Sequence, residues 1–208
     1  MNSASKRSWF AAILACLVLT LGLTACEAGK DKQTGSGPPQ LTKDQIKEWE
    51  QAADKGDAHD KFALGKKFRD GVEVAQNFTN AAVWFRKASE AGHAKAQYQL
   101  ALSYREGHGV AKDEAEAAKW LLKASEQGNG NAMEELGFML WKGQGVTTNY
   151  VEAHKWLTLA AAEGEGKAAK GAKKLELSMN PQQIAEAKKL EASFIPKKVF
   201  TRPDKKKE

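Results

Sequence analysis

The chain is nearly without cysteine: of 208 residues only Cys16 and Cys26 carry a thiol. Both lie in the first 26 positions, so the rest of the chain can form no disulfide and offers no thiolate to a metal. Stability there has to come from packing. A bilayer-spanning run is also missing. Residues 9–23 are the main apolar stretch, 15 positions long, whereas a spanning helix needs about 20. With Lys6 and Arg7 before it and small residues after it, this stretch reads as an export leader that is removed. Histidine is scarce too, with four in all. His59, His93, His108 and His154 fall at unrelated positions, and none makes a two-histidine helical pair with a third ligand nearby, so they read as surface or loop side chains.

The turns Gly107-His108-Gly109 and Gly143-Gln144-Gly145 have no strand before them and no Lys-Ser/Thr after them, which excludes a phosphate loop. The carboxylate pairs Glu114/Glu116 and Glu134/Glu135 fall on polar helix faces, where solvation explains them better than acid–base work. No catalytic residue, metal ligand or cofactor site is assigned, and we expect no enzymatic activity. Strong charge of one sign is absent from the body of the chain. Its 32 Lys+Arg against 26 Asp+Glu give +6 and a pI of ≈ 9.2, but Lys6 and Arg7 belong to the leader. The tail 196–208 holds six further basic residues against two acidic ones. The body is therefore neutral, which argues against nucleic acid. The tail reads as a disordered basic arm, either solvated or near anionic headgroups.

What the chain does have is a period. Trp84, Trp120 and Trp156 stand 36 residues apart, as do Gly71/Gly107/Gly143 and Gly92/Gly128/Gly164. A repeat of that length marks a solenoid, in which each unit buries its apolar face only against its neighbours. Three units are expected at 58–93, 94–129 and 130–165. In each, a first helix carries Leu64/Leu100/Leu136 and Phe68/Tyr104/Leu140, with a small residue, Gly65/Ala101/Gly137, where helices approach closely. It ends at Gly71/Gly107/Gly143, where glycine can take the left-handed conformation of a C-cap. A loop plugged by Val74, Val110 or Val146 leads to a second helix capped by Asn77/Asp113/Asn149, with capping boxes expected at Asp113/Glu116 and Asn149/Glu152. The second helix buries Ala81/Ala117/Ala153, the tryptophans, and Ala88/Ala124/Ala160, and ends at Gly92/Gly128/Gly164. Residues 41–57 read as an N-terminal capping helix that imitates a second helix, with Ile46, Trp49, Ala52 and Ala53 at apolar helical spacing and Ala52 and Gly56 in register with Ala88 and Gly92. Residues 166–195 read as C-terminal capping helices, Pro181 opening the last of them.

The strings LALSYREGHGVAKDEAEAAKWLLKASEQG and LGFMLWKGQGVTTNYVEAHKWLTLAAAEG closely resemble the Sel-one-like repeat, a relative of the tetratricopeptide repeat with a longer inter-helix loop. The resemblance spans Trp49 to about Leu175. Glu73 departs from it, standing where Gly109 and Gly145 stand in the later repeats, so the first loop is expected to be built differently. The family implies an all-α, right-handed α-solenoid that binds proteins and has no chemistry of its own.

Leu23-Thr24-Ala25-Cys26 resembles the lipobox of bacterial lipoproteins. In that family the leader, here 1–25, is cut away, the cysteine takes a diacylglycerol, and the new amino terminus can take a third chain. Cys26 is then the lipid attachment site, and 26–40, rich in Gly, Pro and polar residues, is a flexible tether reaching on the order of 20 Å. Glu27, rather than aspartate, after the cysteine points by the same resemblance to the periplasmic face of the outer membrane.

Helical steps of 100° from Leu136, Gly137 and Leu140 turn Glu135, Phe138 and Lys142 to the opposite side, so Phe138 is expected to face solvent. The row Lys66–Leu102–Phe138 becomes apolar toward its end, as interfaces often do. Met139 and Trp141 are expected against neighbouring repeats. In tetratricopeptide-type solenoids the first helices line the concave face, which makes Ala63, Lys66, Asp70, Gln99, Leu102, Glu106, Glu135, Phe138 and Lys142 the candidate partner groove by resemblance. The expected function is a lipid-anchored, monomeric adaptor holding one protein partner in the cell envelope. An immunity protein that blocks a secreted effector such as a phospholipase is a second possibility, and a hydrolase, proposed for some members of the family, is a third.

Overall fold

The computed structural model describes residues 41–197. The expectations for the leader, Cys26, the tether and the tail beyond Lys197 lie outside these residues. Within them the chain forms nine α-helices and no strand: α1 (Lys43–Lys55), α2 (Ala58–Asp70), α3 (Phe78–Glu90), α4 (Ala94–Glu106), α5 (Glu114–Glu126), α6 (Gly130–Lys142), α7 (Tyr150–Ala162), α8 (Gly166–Glu176) and α9 (Pro181–Ala192). The pairs α2/α3, α4/α5 and α6/α7 are the three repeated hairpins of an all-α solenoid. The helix α8 occupies the place of a fourth first helix.

The glycines at the hairpin bends act as the period requires. Gly71, Gly107 and Gly143 have φ of 69°, 76° and 69°, and the Gly71 and Gly107 amides donate to the Lys67 and Ser103 carbonyls at 3.0 and 2.9 Å. The second helices are then capped by Asn77, Asp113 and Asn149, whose side chains accept the Asn80, Glu116 and Glu152 amides at 2.9, 2.9 and 3.1 Å. The reciprocal half of the capping box expected at Asp113/Glu116 and Asn149/Glu152 is not formed. The amides it would need are already engaged across the hairpin, Asp113 N–H to the Tyr104 carbonyl at 2.9 Å and Asn149 N–H to that of Leu140 at 3.0 Å. Complete boxes instead open α1, α2 and α9, at Thr42/Gln45, Asp57/Asp60 and Asn180/Gln183.

The spine is apolar and tightly packed. Trp84, Trp120 and Trp156 are 4%, 8% and 2% exposed, flanked by alanines that are almost fully buried. Small residues set the spacing between helices: a Cβ added at Gly65 would lie 2.7 Å from Phe85, and one at Gly137 would lie 2.7 Å from Leu157. Val74 is buried as a loop plug, while Val110 and Val146 are only partly so. The first loop is not built differently. Glu73 has φ of 64°, beside 76° for Gly109 and 66° for Gly145. The same left-handed turn is thus formed at a cost of about 1–2 kcal/mol for a residue with a side chain. The Glu73 carboxylate pairs with Lys67, and its carbonyl accepts the Leu41 amide at 2.9 Å.

The first capping helix is an imperfect copy of a second helix. Ala53, not Ala52, faces the core, and Gly56 has φ of −77° rather than a left-handed value. It docks through Ile46, Trp49 and Ala53, with Lys67 Nζ 4.0 Å from the Trp49 ring.

Two histidines expected at the surface are buried. His154 is 2% exposed, with Nε2 2.9 Å from Glu176 and Nδ1 2.9 Å from Glu191. These two contacts tie α7 to α8 and α9. Phe194 then packs edge-on to Trp156 at 5.4 Å. Pro196 and Lys197, expected in the disordered tail, are held: the Lys197 amide donates to the Glu126 carbonyl at 2.7 Å.

His93 is 7% exposed, caps α4 by accepting the Ala96 amide on Nδ1 at 3.2 Å, and stacks on Phe62 at 4.5 Å. Burial, and then the charge of His59, lower its pKa from 6.5 to about 4. Because the unfolded chain takes up this proton first, the contribution of His93 is complete above the unfolded pKa and is lost as pH falls from about 6.5 toward 4, for a total of about 3 kcal/mol. His93→Asn, the residue at the equivalent Asn129, keeps the cap and should flatten this part of the stability–pH curve. Denaturant midpoints of the two proteins at about pH 7 and pH 4.5 check it.

Candidate functional site

The nine candidate residues all lie on the first helices α2, α4 and α6, and none is in the core. Lys66, Asp70, Glu106 and Lys142 are exposed, and Ala63, Gln99, Leu102, Glu135 and Phe138 are half-buried. The structure brings several of them together through residues that the helical projection had passed over. Arg69 Nη1 donates to Gln99 Oε1 at 2.5 Å, and its Nε donates to Asp70 at 2.7 Å. One repeat later Arg105 donates to Glu135 and, at 3.1 Å, to Glu106. The hydrogen bonds from Arg69 hold the Asp70 carboxyl below the ordinary carboxylate range. Each arginine therefore bridges one first helix to the next, fixing the face as a ladder of arginine hydrogen bonds.

Arg69 and Arg105 are themselves 36 apart, so the spacing that located the tryptophans could also have located the ladder. The next member of that series is Trp141, and the series Gln99, Glu135 continues to Gly171. The ladder stops there. Met139 is buried as expected, while Trp141 is half-buried and stacks on Phe138 at 6.2 Å with an interplanar angle of 21°. Phe138 does not face solvent freely. Its ring edge lies over Gly171 of α8, where an added Cβ would be 2.9 Å from the ring. A projection of α6 alone could not anticipate this contact, because the bare backbone that admits the ring belongs to another helix.

Beside these rings is a recess of ≈ 500 Å³ with lysines at its rim. On the second-helix side, Val83 and Leu122 are 47% and 42% exposed. Among the described residues no group of three His, Cys, Asp or Glu is placed to hold a metal ion, and no helix is long and apolar enough to cross a membrane.

Comparison with known proteins agrees with this architecture. A Sel1 repeat protein from Oxalobacter formigenes is similar in structure at 31% identity and a TM-score of 0.55, covering 62% of this chain and 58% of that one. So is c5321, a protective antigen present in uropathogenic Escherichia coli strains displaying an SLR fold, at 31% identity and a TM-score of 0.65, over 76% of this chain and 34% of that one. The chain thus spans less than two thirds of either structure. Helicobacter pylori cysteine rich protein B, at 22% identity and a TM-score of 0.50 over 62% of this chain and 96% of that one, shares the fold. No curated protein matches. The Sel1 repeat family model matches residues 61–93, 94–129 and 130–165, the three hairpins described above. With its indole spine, its left-handed bends and this match over half its length, the chain belongs to the Sel1 repeat family.

Proposed function

We propose that the chain is a lipid-anchored adaptor of the cell envelope that holds a protein partner on the face of its first helices, as a monomer and without chemistry of its own. Sel1 repeat proteins are generally protein-interaction modules, and this supports the class of function. The observation that carries the choice of face is the Arg69 and Arg105 ladder. It holds polar and charged side chains in fixed positions around the half-buried apolar Leu102 and Phe138. A surface already ordered before binding loses little side-chain entropy when a partner arrives.

Anchorage rests on Cys26, and the location we propose is the periplasmic face of the outer membrane. Each buried methylene of an acyl chain contributes about 0.8 kcal/mol, so two or three chains hold the protein where one would be marginal. Cys26→Ser should therefore move the protein from the membrane pellet to the soluble fraction. If the variant still pellets after a salt wash, the acyl anchor is wrong.

A further inference from the structure

The recess between α6 and α8 is the part of the first-helix face where cations gather around aromatic rings with no carboxylate in the lining. Phe138 and Trp141 floor it, and Lys142, Lys167, Lys170 and Lys174 rim it. None of the four lysines is ion-paired with a described carboxylate. The nearby Glu134 carboxylate, whose charge Lys167 feels, lies outside this lining.

The recess arises from the repeat register. At the two preceding junctions an arginine closes the gap between first helices, Arg69 to Gln99 and Arg105 to Glu135. At the junction of α6 with α8 the same positions hold Trp141 and Gly171, so arginine and acceptor are both gone. The indole lies against Phe138, and Gly171 leaves room for the phenylalanine ring. The helix α8 then presents Lys167, Lys170 and Lys174 at i, i+3 and i+7, one helical face, to the opened side.

We propose that this recess takes an acidic peptide segment carrying one bulky apolar side chain, which seats on Phe138 and Trp141 while its carboxylates meet the lysines. This inference rests on the protein-binding reading above and names the chemistry of the partner. Charge complementarity selects the acids, and the lining excludes cations. The relief of the site selects a peptide over a bilayer. An interfacial membrane site projects its apolar side chains beyond its basic ones, whereas here the rings are half-buried and the lysines exposed.

The test uses the full chain, solubilised in detergent, and the anisotropy of fluorescein-labelled peptides with an Asp-Glu-Phe-Glu-Asp core. Saturable binding is expected, weakening with added salt. It should fall by at least about tenfold when the acids are replaced by their amides or when the pair Lys170→Glu and Lys174→Glu is introduced. These lysines are exposed, so the double variant should keep its thermal midpoint. Trp141→Arg should retain dependence on the acids but lose the preference for Phe over Ser in the peptide. Failure of the acidic peptide to bind, or binding that neither variant changes, would overturn the proposal. So would saturable binding of a fluorescent soluble short-chain phosphatidylglycerol by a chain that does not bind the peptide, which would make the recess a lipid site. If the double variant still crosslinks a protein from Leu102 as the native chain does, the recess is not the anchoring subsite and the broader protein-binding reading survives. If neither chain crosslinks a protein there, the broader reading fails as well.

Discussion

Gly109→Ala is expected to cost at least about 3 kcal/mol of stability, or to prevent folding of the array. Gly109 has φ of 76°, and that alone would cost a side chain about 1–2 kcal/mol. The larger effect is steric: a Cβ there would lie 2.0 Å from the Phe78 carbonyl oxygen and 2.6 Å from the Thr79 nitrogen. These atoms are backbone and cannot turn aside, so α3 and the second loop would have to separate. Gly145 meets Glu114 in the same way, with a Cβ 2.4 Å from its carbonyl carbon. The second glycine of each such loop is thus where one repeat rests on the start of the preceding second helix. At the equivalent place Glu73 accommodates a side chain, and its carbonyl accepts the Leu41 amide at 2.9 Å. Gly166→Ala is the control. Nothing lies within 4 Å of its Cβ position, and it opens α8, so alanine should be neutral or stabilising by about 0.5 kcal/mol. Denaturant midpoints of the two variants check both results, and an unchanged midpoint for Gly109→Ala would remove the contact from the account.

Trp120→Ala should cost about 3–5 kcal/mol, the range for truncating a large aromatic core residue. Trp120 is 8% exposed in the second of three stacked units, with the Lys123 ammonium 4.1 Å from its ring. Repeats on both sides depend on it, because a solenoid transmits stability only between neighbours. Its indole Nε1 is buried without a hydrogen-bond partner, so Trp120→Phe should be much milder, losing volume while relieving an unpaired donor. A thermal midpoint of Trp120→Ala equal to that of the native chain would show that the indole is not structural.

The repeats were legible because each instruction is written three times. Left-handed glycine, asparagine or aspartate cap, buried indole and small alanine recur at one spacing, so chance occurrences cancel. The ends of the array carry single copies, and there the reading slipped. Of Ala52 and Ala53, both placed in the apolar pattern of α1, only Ala53 is buried, and His154 reads in the sequence as a surface or loop side chain. The Glu176 and Glu191 carboxylates that hydrogen-bond the buried His154 ring lie 22 and 37 residues downstream, beyond any local pattern. The capping boxes failed for a related reason, since the amides they needed were engaged by the partner helix of each hairpin. On the first-helix face the helical projection kept the nine candidates out of the core but set the half-buried Phe138 in solvent. The ladder, the seating of Phe138 over Gly171 and the lysine-rimmed recess are all contacts between successive helices, which a projection of one helix leaves out.

Site-specific photocrosslinking in cells tests the central claim most directly. A photoreactive phenylalanine analogue at Leu102, on the first-helix face, should yield a discrete covalent adduct with another protein, and the same analogue at Val83, 47% exposed on α3, should yield none. Adducts at Val83 with none at Leu102 would place the partner on the opposite side of the array and contradict the account.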